Sequence, residues 1–182
     1  MKKLSILLLA LMLINAKLYS QSDEKLVFKI NPLSALVSTG SVFLEMKLDN
    51  AKSFQMGVAY TGLGLGDLSY SGIIITPEMR FYTKQRALSG AYLAPYFRFQ
   101  RFEITDEGTI PNNELTLTTI GGGLMFGRQW VYSSGFVFDM FAGPSYNDGD
   151  IKYKSGSQTS EDFAYGLKGF GIRIGIAIGF GF

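Results

Sequence analysis

From Phe170 to Phe182 the chain alternates between large apolar and very small side chains. Phe170, Ile172, Ile174, Ile176, Ile178, Phe180 and Phe182 share one parity, and Gly169, Gly171, Arg173, Gly175, Ala177, Gly179 and Gly181 the other. Successive side chains of a strand lie on opposite faces, so this segment predicts a strand with one greasy face and one glycine face carrying a single arginine. That second face is too bare for solvent and too small to form a core. It suits the wall of a narrow transmembrane barrel, with bulk toward lipid and small residues toward a crowded lumen.

The same period of two, read between turn signals, predicts eight strands over residues 26–37, 41–48, 53–60, 72–82, 91–102, 115–130, 135–146 and 167–182. Their apolar faces include Phe28 and Ile30, Val42 and Leu44, Met56 and Val58, Ile73 and Ile75, Leu93 and Phe97, Ile120 and Phe126, and Phe138 and Met140. The opposite faces collect Lys29, Glu45, Lys47, Glu78, Arg80, Arg98, Asp139 and Arg173. An Arg or Lys facing the lipid midplane costs about 2–4 kcal/mol, so the charged parity points inward. The expected fold is all-β: an eight-stranded antiparallel up-and-down transmembrane barrel occupying residues 21–182. Pro77 and Pro95 fall inside strands, where each removes a ladder donor, and a local irregularity or a bulge is expected at both.

Connection lengths alternate. Residues 49–52, 84–90 and 132–134 are short; 61–71, 103–114 and 147–166 are long and rich in Gly, Asp, Asn and Ser, while the connection near 38–40 is tight. An even strand number with both termini periplasmic places the short turns there and the long loops outside. Phe81, Tyr82, Trp130, Tyr132 and Phe182 then form one aromatic girdle, and Tyr60, Tyr70 and Tyr146 the other rim.

At the N-terminus Lys2 and Lys3 precede an apolar run from Leu4 to Ile14, which reads as a signal peptide over residues 1–20. The run is too short for a membrane helix, which needs about 20 residues. Removing the signal takes Lys2, Lys3 and Lys17 from the 17 basic residues, leaving 14 against 15 acidic ones. The mature chain has no basic block to steer nucleic acid. With no cysteine, neither a lipoprotein anchor nor a disulfide framework exists.

The terminal phenylalanine with its alternating apolar residues, together with Pro77-Glu78-Met79-Arg80-Phe81-Tyr82, Tyr92-Leu93-Ala94-Pro95-Tyr96-Phe97-Arg98 and Gly121-Gly122-Gly123, carries a resemblance. The mature chain resembles the small eight-stranded outer-membrane barrels of the OmpA, OmpX and OmpW type, and more narrowly a Bacteroidota family of such barrels. The resemblance implies a Gram-negative outer membrane, contact with its lipid and lipopolysaccharide, and insertion by the barrel-assembly machinery, which reads Phe182, Phe180 and Ile178. It transfers no active site.

Barrels of this size that act on lipid A resemble one another in using histidine, and this chain has none. No serine sits in a G-x-S-x-G elbow either, so no enzymatic activity is expected. Without histidine or cysteine the usual zinc, copper and haem ligands are missing, and no cofactor is expected. Gly62-Leu63-Gly64-Leu65-Gly66 opens no helix and reads as an outer loop rather than a phosphate cradle. Glu103, Asp106, Glu107 and Glu114 crowd another outer loop, where acidic oxygens suit Ca²⁺ or Mg²⁺ but lack EF-hand spacing.

The inward charges read as ion pairs that satisfy one another in a narrow interior. Arg173, the one large residue on the inward face of the last strand, is expected to hold Asp139 or a glutamate. The lumen is therefore expected to be closed, and the protein to be a non-enzymatic barrel whose loops bind a target or a membrane-protein partner. The alternative is a narrow channel for small or apolar solutes. A soluble carrier would turn the charged parity to water, but that parity holds too many glycines and alanines for a solvent face.

Overall fold

The computed structural model describes residues 24–65, 68–84, 86–106, 113–155 and 168–182. Strands β1 (Leu26–Ile30), β2 (Thr39–Lys47), β3 (Lys52–Leu65), β4 (Leu68–Tyr82), β5 (Gly90–Asp106), β6 (Asn113–Val131), β7 (Phe136–Ser155) and β8 (Gly169–Gly181) run antiparallel in chain order. β8 returns to β1 and closes the barrel. At the closure Phe182 donates to the Leu26 carbonyl (2.9 Å) and accepts from the Leu26 N–H (3.0 Å). The terminal phenylalanine is thus tied to the first residue of β1, its side chain half exposed on the outer wall.

The two parities separate as the alternation dictates. Phe28, Leu44, Val58, Ile73, Phe97, Phe126, Met140 and Ile174 face out and are exposed, whereas Lys29, Glu45, Gln55, Glu78, Arg80, Gln129 and Asp139 are buried.

The structure departs from the sequence reading in several places. β1 stops at Ile30, because Asn31 caps a 3-10 helix (Pro32–Val37), its side chain accepting from the N–H groups of Leu33 and Ser34. Proline fixes a helical φ and has no N–H to donate to a ladder. Ser38, at φ 51° in the left-handed region, turns the chain into β2. The outer hairpins continue past the expected strand ends: Gly62 to Leu65 belong to β3, Glu103 and Asp106 to β5, and Glu114 to β6, rather than to loops. Gly66, Glu107 and residues 156–167 lie outside the described residues. At Pro77 and Pro95 the expected irregularity takes the form of lapsed pairing and not of a bulge. Pairing of β4 with β5 lapses on either side of Glu78↔Tyr96, but the register from Ile75↔Phe99 to Phe81↔Leu93 does not slip. Both prolines face outward with their neighbours still in step. A register shift lies elsewhere, at Glu114/Leu115 between β6 and β7.

Toward the outer hairpins the pattern inverts. Outward Phe97 and Phe99 give way to Arg101 and Glu103, outward Tyr146 to Asp148, and outward Ile73 to Ser71. Inside, Ile74, Phe102, Ile104, Leu115 and Leu117 pack into a buried apolar cluster flanked by Ala59, Tyr70 and Ile151. Tyr70 therefore lies against Phe102, ring centroids 5.1 Å apart, and not on the outer rim. β5, β6 and β7 have 17, 19 and 20 residues, well beyond the roughly 9–11 needed to cross a bilayer. Their upper parts are built like a soluble sheet, apolar within and polar without.

At the opposite end two turns behave differently. Between β2 and β3, the Asp49 carboxylate accepts from the N–H groups of Ala51 (2.7 Å) and Lys52 (2.9 Å), an Asx turn. These bonds to the charged form, that of Ala51 first, hold the Asp49 carboxyl below its ordinary range. The turn between β4 and β5 folds into the barrel mouth instead. Leu88, at φ 69°, is buried against Val27 and Val137, and its carbonyl accepts from Gln129 Nε2 at 2.8 Å. Where the sequence predicts a plain short turn, Leu88 stops the mouth.

Candidate functional site

The inward faces of the strands bring polar side chains into the lumen, and the closed register brings strands distant in sequence together. Lys29 Nζ donates to Glu45 Oε2 (2.6 Å), to Asp139 Oδ2 (3.0 Å) and to Gln129 Oε1. Arg80 donates through Nε to Glu78 Oε1 (2.7 Å), and through Nη1 to Asp139 Oδ2 (2.8 Å), Gln129 Oε1 (3.2 Å) and Glu45 Oε2 (3.3 Å). Arg173 Nη1 reaches Glu78 Oε2 at 3.4 Å. The remaining carboxylate oxygens take hydroxyl donors: Tyr82 (2.7 Å) and Ser53 on Glu45 Oε1, and Tyr92 (2.8 Å) on Asp139 Oδ1. Three cations face three carboxylates, and every carboxylate oxygen has a donor. Attraction can offset desolvation in so dry a place only when the remaining lone pairs are satisfied as they are here.

Arg80 and Lys29 are the centre of this cluster. Arg173, which the sequence picked out, has Glu78 as its one carboxylate partner among the described residues, and Glu78 keeps Arg80 without it. No bond links Arg173 to Asp139. Its guanidinium instead lies 4.9 Å from the Tyr96 ring centre and 5.2 Å from that of Phe141. Arg98 also stands apart. It enters the lumen but joins no ion pair among the described residues, and its buried Nε has no hydrogen-bond partner among them. Lys47 lies half-buried nearer the terminal end of β2, opposite Ser53.

Tyr82, Tyr92, Ser53 and Gln129 belong to the site beyond the residues expected from the sequence. Tyr82, expected on the outer girdle, is 4 % exposed and bonded to Glu45. The parity signal was available: Tyr82 shares the phase of Glu78 and Arg80. Gln129 is registered directly opposite Asp139.

Above the charged cluster lie Phe43 and Phe141, edge to face at 6.4 Å. Each stands opposite a glycine of the neighbouring strand, Phe43↔Gly57 and Phe141↔Gly175. A Cβ on Gly175 would run into the Phe141 ring, and one on Gly57 would come within 2.9 Å of Phe43. Over this pair opens a cavity of about 450 Å³, lined by Ala59, Ile74, Thr76, Arg98, Arg173 and the 3-10 helix. No cluster of three or more metal-ligating side chains occurs among the described residues.

A closed up-and-down barrel of eight strands, apolar outside and polar within, is the architecture of the outer-membrane β-barrel proteins. The structure is similar to that of a major outer membrane protein from Thermus thermophilus, with a TM-score of 0.53 and 11 % identity over 86 % of this chain and 99 % of that one. It is also similar to the N-terminal barrel domain of Pseudomonas aeruginosa OprF (TM-score 0.48, 11 % identity, 89 % of this chain and 100 % of that one). Acinetobacter baumannii CarO follows at a TM-score of 0.42 and 9 % identity, over 90 % of this chain and all 100 % of that one. The chain belongs to the DUF3575 family, described as a protein of unknown function, whose model matches residues 5–165. No match was found among curated proteins.

Proposed function

We propose that this protein is a non-enzymatic barrel of the Gram-negative outer membrane, exported by residues 1–20, with both termini periplasmic and a lumen too full to conduct. The observation that carries this reading is the neutral cluster of Lys29, Arg80, Arg173, Glu45, Glu78 and Asp139 beneath Phe43 and Phe141, stoppered by Leu88. An eight-stranded barrel has an interior only wide enough for side chains to fill, and here the polar ones hold one another. What remains to act is the surface. The tall upper parts of β5 to β7 present polar side chains outside the apolar band, a rigid platform for binding a target, lipopolysaccharide or a membrane-protein partner. Phe182, Phe180 and Ile178 supply the terminal pattern for the barrel-assembly machinery. The narrower assignment to a Bacteroidota family of such barrels stands with this proposal.

Planar-bilayer recording of the reconstituted full chain is the test. No steady single-channel current is expected; well-resolved currents would overturn the closed-lumen reading. They would favour the second reading, a narrow channel for small or apolar solutes, whose support is the cavity above the aromatic pair.

A further inference from the structure

β1 is much shorter than the strands it closes against. It pairs with β8 only from Val27↔Gly181 to Ile30↔Ile178, while β8 continues to Gly169 and β2 to Thr39. Above Ile178, no described strand pairs with the free side of β8. The 3-10 helix lies against both β2 and β8 here without forming a ladder. The gap is at the height of the lipid, because Ile174 and Ile172 on β8 are 72 % and 82 % exposed. Open sheet edges do not persist against hydrocarbon unless something covers them.

The gap communicates with the lumen. Leu36 and Val37 of the helix and outward Ile174 line the same cavity as inward Ser41, Ala59 and Arg98. The cavity, at about 450 Å³, falls in the size range of small-molecule sites. Its polar end is cationic. The three carboxylates of the lumen are matched by Lys29, Arg80 and Arg173, so Arg98 is a fourth cation with no carboxylate of its own among the described residues and an unpartnered buried Nε. A buried donor without an acceptor is costly, and a guanidinium fork is shaped for an oxyanion.

We propose that the gap between β8 and β2 is a lateral entrance through which a single-chain fatty acid enters from the membrane, seating its carboxylate on Arg98 beside Arg173 and its chain between the 3-10 helix and Ile174. The charge selects the acid, and the apolar lining with its opening toward lipid selects the chain. Phe43 and Phe141 form the floor, so the ligand is held and not passed.

Photoaffinity labelling of the full chain in lipid nanodiscs tests this, with a diazirine-bearing palmitate as probe and the same diazirine on hexadecanol as its uncharged counterpart. Palmitate is expected to label the lumen-facing segments around Ala59 and Ser41, and hexadecanol at least tenfold less. Arg98→Gln is expected to reduce lumen labelling at least tenfold while the outer apolar face stays labelled. Ala59→Trp, which fills the cavity and leaves Arg98 in place, is expected to do the same. Each variant is first confirmed as folded by its gel shift on heating. Equal lumen labelling by palmitate and hexadecanol in the wild type would overturn the proposal whatever the variants do, as would undiminished labelling in a folded variant. The readout is independent of conductance, so the closed-lumen reading can fail while this one stands, and the converse.

Discussion

Arg80 Nη1 lies 2.8 Å from Asp139 Oδ2, joining β4 to β7 across the lumen. These two strands share no ladder; each pairs only with its sequence neighbours. The bond is therefore a brace across the barrel, and the same guanidinium braces Glu45 of β2 as well.

Because Arg80 serves three carboxylates, Arg80→Leu should leave buried charge uncompensated and destabilise the barrel by about 3–5 kcal/mol. Arg173→Ala should cost less, since Glu78 retains Arg80. Urea unfolding in lipid vesicles, followed by tryptophan fluorescence of Trp130, measures both. Equal losses would return Arg173 to the central role that its position in the sequence suggested.

Gly175→Ala should destabilise by about 1–3 kcal/mol, because the new methyl runs into the Phe141 ring and forces it off its seat. Adding Phe141→Leu should recover part of that loss. A double-mutant cycle with no coupling between the two positions would show that the glycine is not there to seat the ring.

Met140 faces outward in the apolar band, and Thr118, also on the outer wall, lies above it among polar neighbours. Met140→Arg should cost about 2–4 kcal/mol and Thr118→Arg about 0–1. The difference, read by the same unfolding assay, locates the upper edge of the lipid.

Deleting Phe182 removes both backbone bonds that fasten the C-terminus to Leu26. Outer-membrane recovery in cells is expected to fall severalfold, while the fraction that does insert should keep its heat-dependent gel mobility. Full recovery of the truncated protein would deny the terminal residue its part in assembly.

Strand number, parity and closure were legible because a barrel wall between lipid and lumen imposes one rule on every strand, and each strand repeats it. The charged members of the lumen cluster followed from the same rule. Their partners were harder to see, because a tyrosine can satisfy either an outer girdle or an inner carboxylate, and only the phase shared by Tyr82, Arg80 and Glu78 decides it. The glycines carried information that alternation alone does not extract. Phe43↔Gly57, Tyr92↔Gly127, Tyr96↔Gly123, Phe102↔Gly72 and Phe141↔Gly175 place an inward ring opposite a bare backbone each time, a pattern visible only once register is known. Helix and loop boundaries were missed where Pro32 ended β1 early, and where polar outward residues on β5 and β7 looked like loop but were strand above the lipid. The folding of Leu88 into the mouth had no local signal, since it depends on a hole that the surrounding strands create.

The short closure between β1 and β8 has a mechanical consequence. On the far side, β5 and β6 are zipped along their whole length, from Gly90↔Gln129 to Asp106↔Asn113, whereas the closure spans only Leu26 to Ile30 on β1. Resistance to opening is then graded around the circumference, like a cuff with a stiff back and a brief clasp. Amides of β1 and the upper part of β8 should exchange with solvent deuterium first and those of β5 and β6 last, so that a thermally stressed barrel parts along one line and keeps the rest of its sheet intact.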